Sequence, residues 1–473
     1  MQVCDAKSDN DKSAVDLKAA LQYVEQRHPD RALSRLKGTL SKQPNNIQAL
    51  LLKAEALLLM ERFEEALAAV SAVLKQEPHN CAALVLRSRI NLCTGRFNEA
   101  QSDANAAIKF GPSNATAYLA RADVLRIAQK YKESALDCDH AIQLEPRKSD
   151  IWRQSALIRK GRRPGPATKK TFDQAIKLSP EDTRNYDDYA DFLYSKRKYE
   201  ESLPLCNKAL QIDPEDGYAL MNRAHLQLAR KNHRGALADI DKAAAALPWS
   251  GWPHAIKGEI YAAMMEDELS LKEYSRAIEI QPNGSQFFLG RAVARSGQRD
   301  FAGSVSDLTR AYELGHGDLY AIFLRADVYQ ALNKYEESLK DLTMLTKHQP
   351  EEANHHVRRA IVLKHLNRTA EAEREFTRAI ELKPSDMTYE RRGDFYNSIK
   401  MYDKAVADFT AALKIDPTTK KAQRGLSFAY EGLGRKDLAD KARRAAAGDM
   451  EKMIDSYSKA SDSFSRLKHS LGK

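Results

Sequence analysis

The chain has 473 residues, 43% of them hydrophobic and 30% charged, with a formal net charge of +10. That balance excludes an intrinsically disordered chain, and no apolar run approaches the ~18–20 residues needed to span a bilayer. Five scattered cysteines (Cys4, Cys81, Cys93, Cys138 and Cys206), none in a CxxC pair, argue against a disulfide framework or a thiolate zinc site and for a reducing, cytoplasmic compartment.

The first twelve residues, MQVCDAKSDNDK, are polar and carry neither a basic leader nor an apolar run, so no secretory signal is expected. From residue 13 a 34-residue period takes over: Pro44, Pro78, Pro112, Pro146, Pro180, Pro214, Pro248 and Pro282 are evenly spaced, His316 fills the next slot, and Pro350, Pro384 and Pro417 follow. Small residues keep the same phase. They fall 24 residues before the proline (Ala20, Ala54, Ser88, Ala122), 12 before it (Ala66, Ala100, Ser134, Ser202) and 5 before it (Ala107, Ala141, Ala175, Ala209). Such spacing predicts two amphipathic helices per repeat, packed antiparallel, with small residues where the axes approach and a proline ending the second helix. One pair cannot bury both faces, so neighbouring pairs must stack.

Repeat four, AYLARADVLRIAQKYKESALDCDHAIQLEP over 117–146, resembles the tetratricopeptide repeat, whose signature runs aromatic, small, Tyr, small, aromatic, small, Pro. Numbering each repeat so that the proline is position 32 places repeat one at 13–46 and thirteen repeats within 13–447, after a polar segment at 1–12. The resemblance implies an all-α, right-handed superhelical solenoid of antiparallel helix pairs. It also implies a platform that binds other proteins through extended or helical peptide segments in a concave groove.

Repeat five, 149–182, departs from the pattern: GRRPGPATKKT replaces the usual turn and aromatic start of the second helix. It is not a phosphate loop, because Pro166 stands where the second glycine is required and no strand precedes it. Arg159, Lys160, Arg162, Arg163, Lys169 and Lys170 there form a candidate patch for an anionic partner or for nuclear import, against the alternative of a solvated turn. Repeat five carries +4 and residues 418–473 carry +6, so the other repeats sum to zero. An RNA-binding helical-repeat protein, the alternative function, would carry a basic stripe throughout, so nucleic-acid binding is not expected.

The family resemblance places the inner face at positions 2, 5, 9 and 12 of the first helix. In repeats seven to ten this nominates Tyr218, Met221, His225, Trp252, Tyr320 and Phe323 as a peptide-binding groove, with acidic residues interspersed: Asp187 and Asp191 of repeat six, Glu259 and Asp327. Co-chaperone repeats that grip a C-terminal carboxylate are matched only at Asn222. Asp187, Asp191, Trp252 and Ile256 stand at the other clamp positions, so an adaptor of that kind would lack the clamp. Position 7 is basic in eight repeats (Arg87, Arg121, Arg223, Lys257, Arg291, Arg325, Arg359, Arg392), and position 23 of the same repeats is acidic. This covariation predicts ion pairs between the two helices of one repeat rather than a binding ladder.

Ala14, Leu17, Leu21 and Val24 offer an apolar face for a homo-oligomer. Residues 448–473 put Met450, Met453, Ile454, Tyr457, Phe464, Leu467 and Leu471 on one helical face, the pattern of a capping helix. No HExxH, GxSxG or strand-borne GxGxxG motif is present. The sequence therefore predicts a non-catalytic interaction scaffold with no cofactor, no metal and no membrane span.

Overall fold

A computed structural model of the chain describes residues 2–160, 166–315 and 317–448. Among the described residues the secondary structure is all helical. It runs from Gln2–Glu25 through twenty-five helices to Lys420–Gly432, with a last helix over 436–448. The chain divides into two compact bodies, Met1–Arg299 with Glu313–Gly317 and Asp300–Tyr312 with Asp318–Lys473.

Helix starts follow from the residue that closes each repeat. Asn46, Asn80, Asp216 and Asp318 each accept a backbone N–H from the first turn of the next helix, at 2.9–3.1 Å. The first helix runs from Gln2 to Glu25, a stretch with no proline or glycine to interrupt it. The proposed capping helix lies outside the described residues.

The small-residue positions are the places of closest approach. Ala20, Ala54, Ala122, Ala190, Ala224 and Ala326 from first helices are fully buried, as are Ala66, Ala100, Ala107, Ala141, Ala209 and Ala412 from second helices. Where serine replaces alanine 12 residues before the proline, its hydroxyl donates to the facing helix: Ser134 to the Ala122 carbonyl, Ser202 to Ala190 and Ser338 to Ala326, at 2.7–2.9 Å. A buried hydroxyl thereby stays satisfied.

Every described turn between the helices of a repeat passes through a left-handed residue at position 15. Gly95 and Gly434 suit it, but Arg27, Glu61, Gln129, Arg197, Lys231, Met265, Asn333, Asn367 and Lys400 also adopt φ of 56–62°. A side chain there costs about 1 kcal/mol or more of backbone strain, and it projects from the edge of the repeat stack. Two of these residues shape the site described next.

Candidate functional site

Within the N-terminal body, repeats far apart in sequence meet. Arg27 Nη2 donates to both carboxylate oxygens of Asp188 at 3.0 and 3.3 Å, and its guanidinium lies 4.6 Å from the Tyr218 ring centroid. Arg153 donates to the same Asp188 at 2.5 Å. Burial opposes ionisation of Asp188, but the Arg27 and Arg153 guanidinium groups outweigh it and bring the carboxyl down to about 2. The other turn residue, Glu61, accepts from Trp252 Nε1 at 3.4 Å and from Gln281 Nε2 at 2.5 Å. Repeats one and two therefore close against repeats six to eight along a seam.

This closure uses much of the face that sequence reasoning left open. Tyr218 lies under Arg27, and its hydroxyl is pushed up to about 12 by burial. Met221 is buried with Leu220 and Ile256 in the core of the helix pairs, so it does not face a groove. Trp252 keeps 38% of its surface, its ring edge-on to Phe287 at 5.1 Å. His225 stacks on Tyr194 at 5.4 Å and lies 3.6 Å from Glu259. Asn222, the lone match to the carboxylate clamp, donates to the Asp187 carbonyl at 3.0 Å.

The C-terminal body keeps a more open inner face. Tyr320 is 57% exposed and stacks on Phe323, with ring centroids 6.3 Å apart and planes 11° apart. Arg358, on the next repeat, lies 4.3 Å over the Phe323 ring and pairs with Asp327, while His355 approaches the same ring at 6.0 Å. Further along, Lys421 bridges Asp394 at 3.0 Å and Glu390 at 3.7 Å, beside exposed Met387 and Phe428. The result is an aromatic row bordered by ion pairs.

Three of the four nominated cations of the basic turn that are described stand beside carboxylates. Arg159 donates to Asp139 at 2.5 Å, Lys160 to Asp191 at 3.0 Å, and Lys169 lies 3.9 Å from Glu201; Lys170 is exposed. Arg162 and Arg163 lie outside the described residues. On the face nominated for self-association, Leu17 and Val24 are already packed within the first repeats, leaving Ala14 and Leu21 exposed.

The basic positions form the expected ladder inside single repeats. Arg87, Arg121, Arg223, Arg325 and Arg392 each donate twice to the position-23 aspartate of their own repeat, at 2.6–2.9 Å. The aspartates are buried, which the sequence did not indicate. Where position 23 is glutamate, a histidine at position 4 joins in: His254 Nδ1 is 2.7 Å from Glu273 and His356 Nδ1 is 2.8 Å from Glu375. That histidine–glutamate coincidence was visible in the sequence, 19 residues apart in both repeats.

Among the described residues no group of three or more His, Cys, Asp or Glu side chains could hold a metal, and no helix is long and apolar enough to cross a membrane. Profiles of the tetratricopeptide repeat match residues 23–90, 89–148, 323–386 and 388–419. A comparison with curated proteins gives no match. Among solved structures the chain is similar to the APC/C hetero-tetramer Cut9-Hcn1, with a TM-score of 0.40 and 12% identity over 91% of this chain and 92% of that one. It is similar to the human IFIT1 dimer with m7Gppp-AAAA, at 0.46 and 14% identity over 78% and 90%. A third is a tetratricopeptide repeat protein from Parabacteroides merdae, at 0.39 and 15% identity over 52% and 98%. At these identities the likeness concerns the helical-repeat fold alone. The profile matches at both ends of the chain, and helix pairs that keep the same turn and the same small contacts between them, make this chain a member of the tetratricopeptide-repeat proteins, a repeat scaffold for protein interaction.

Proposed function

We propose that the protein is a non-catalytic adaptor that holds peptide segments of partner proteins on the inner faces of its repeats, chiefly on the row built around Tyr320 and Phe323. The observation that carries this reading is exposed Tyr320 stacked on half-buried Phe323, whose ring is covered by Arg358 and approached by His355. Aromatic side chains lose little rotamer freedom on binding and supply much of the energy of protein contacts. Asp327 pairs with Arg358 beside the row, and the Glu390–Lys421–Asp394 group adds carboxylates two repeats further on, which suits a segment with apolar anchors and basic flanks.

The test is capture from nuclease-treated native lysate by the full-length protein, beside a Tyr320→Ala, Phe323→Ala variant and a Trp252→Ala variant. Proteins held by the natural chain and by Trp252→Ala, but lost from the double variant, support the C-terminal row. Capture that the double variant retains in full overturns it.

A further inference from the structure

The seam of the N-terminal body encloses a cavity of about 400 Å³. Its walls are the turn of repeat one (Glu25 to His28), the loops joining repeats five to six and six to seven, and Ala246 and Leu247. Seven carboxylates line it against two guanidinium groups and one imidazole. Both guanidinium groups are already committed, Arg184 to Asp182 at 2.7 Å and Arg27 to Asp188 at 3.0 Å. The cavity is therefore strongly acidic, with Ile212, Tyr218 and Leu247 as its apolar lining.

Acidity alone would describe only a solvated loop cluster. The second observation is Asp187, which lines this cavity, is 2% exposed, and accepts from no N–H or hydroxyl donor on either carboxylate oxygen; its one hydrogen-bonding neighbour is another acid, Asp216, with which it can share a proton. The nearest guanidinium nitrogen, Arg27 Nη1, is 3.9 Å away, beyond hydrogen-bond reach. Burial first, and then repulsion from Asp216, hold the Asp187 carboxyl well above the usual carboxylate range. Two buried carboxyls against each other, with no cation in hydrogen-bond reach of Asp187, are destabilising as anions. Once ionised, the Asp187 carboxylate matches the paired N–H groups of a guanidinium.

We propose that this cavity receives an arginine side chain from a partner segment, with Asp187 as the buried acceptor and the apolar lining covering the aliphatic stem and a neighbouring apolar residue. The proposal rests on the reading of the protein as a peptide-binding scaffold, and it names the partner's chemistry at a second place. A divalent cation does not fit, since no suitable ligand group exists among the described residues.

The probe is a fluorescein-labelled, end-capped peptide of alternating leucine and arginine, with a twin in which citrulline, neutral and nearly isosteric, replaces every arginine. Binding to the full-length protein is followed by anisotropy at two salt concentrations. The natural chain is expected to prefer the arginine peptide by about 10-fold or more, the scale of charge-assisted bonds to a buried acceptor. Asp187→Asn keeps the shape and removes the charge, and it should abolish that preference while folding at least as well as the natural chain. Glu215→Lys, at an exposed rim position, should weaken the arginine peptide without touching a buried group, and so guards against misfolding of the first variant.

Equal binding of the two peptides, no binding at all, or an unchanged preference in both variants overturns the proposal. Peptide loss in Tyr320→Ala, Phe323→Ala with full retention in Asp187→Asn overturns the cavity alone and leaves the scaffold reading standing. Failure of the lysate comparison with an intact arginine preference does the reverse.

Discussion

Arg325→Met tests whether the position 7 to position 23 pairs hold the repeats together. Arg325 donates from Nε and Nη2 to Asp341 at 2.9 and 2.7 Å, and from Nη1 to Thr309 Oγ1 of the preceding repeat at 2.9 Å. Asp341 is 4% exposed, so removing the guanidinium strands a buried carboxylate. Breaking a fully buried pair from one side costs about 3–5 kcal/mol. The Arg325 side chain is itself 15% exposed, and water entering its place recovers part of that, so about 2–4 kcal/mol is expected. An array of repeats opens in local segments rather than all at once, so the assay is amide hydrogen exchange in Leu319–Ala331 and Tyr335–His348. There the protection should fall about 30- to 1,000-fold at ~1.4 kcal/mol per decade. Arg325→Met with Asp341→Leu should regain most of the loss, because the stranded charge is gone. Arg230→Met, which breaks a pair whose acid, Glu200, is 86% exposed, should change nothing measurable. A single variant with protection within threefold of the natural chain, or a double variant as loose as the single, would refute the argument.

Two further predictions concern the turns and the seam. The Asp188 carboxyl lies at about 2 against an ordinary 3.8, so its depressed value stabilises the fold by about 2 kcal/mol above pH 4. This contribution is fully present above the unfolded value and is lost as the pH falls through about 2. Denaturant stability of the natural chain and of Asp188→Asn should therefore converge between roughly pH 4 and 2, and parallel curves would show that the Arg27 and Arg153 contacts do not set the value. Lys231 sits at φ 60° in its turn, so Lys231→Gly should remove strain of about 1–2 kcal/mol against a backbone-entropy cost of about 0.5–1. A small net gain in protection of Gly217–Ala229 and His233–Ala246 is the result to look for, and a loss would mean the left-handed turn costs lysine little.

What could be read from the sequence is what recurs. Alanine and serine at the helix contacts, the proline stop and the Arg–Asp register depend on neighbours within one repeat, so each recurrence repeats the same clue. Glu273 and Glu375, which reach a lysine or arginine and a histidine together, were readable in principle from the shared spacing. The seam was not. Arg27 meets Asp188 across 161 residues and Tyr218 across 191, and Glu61 meets Trp252 across 191, each with different residue types on both sides. Such contacts depend on the small rotation between neighbouring repeats, summed over several of them, and no residue pattern states that sum. The family resemblance that nominates Tyr218 assigns a face but not the first-repeat Arg27 that lies against it, and Met221 at the same face is buried with Leu220 and Ile256. Likewise the basic run of repeat five carried no mark of Asp139 and Asp191, which pair with its first two cations.

The seam explains why two turn residues of opposite charge stand where most repeats tolerate anything. Both Arg27 and Glu61 stand at position 15, in the left-handed turn between the helices of their repeats. Arg27 finds two adjacent carboxylates and an aromatic face, whereas Glu61 finds an indole and an amide donor. Both contacts keep one register: Arg27 meets the Tyr218 ring and Glu61 meets Trp252, 191 residues on in each case, so consecutive repeats of the first edge face consecutive repeats of the second. The cavity beside Asp187 lies along this seam. Asp188 accepts from Arg27 across the seam and from Arg153 of the neighbouring repeat, while Asp187, one residue away, has only Arg27 at 3.9 Å. The closure therefore satisfies one of two adjacent buried carboxyls and leaves the other against the acidic pocket.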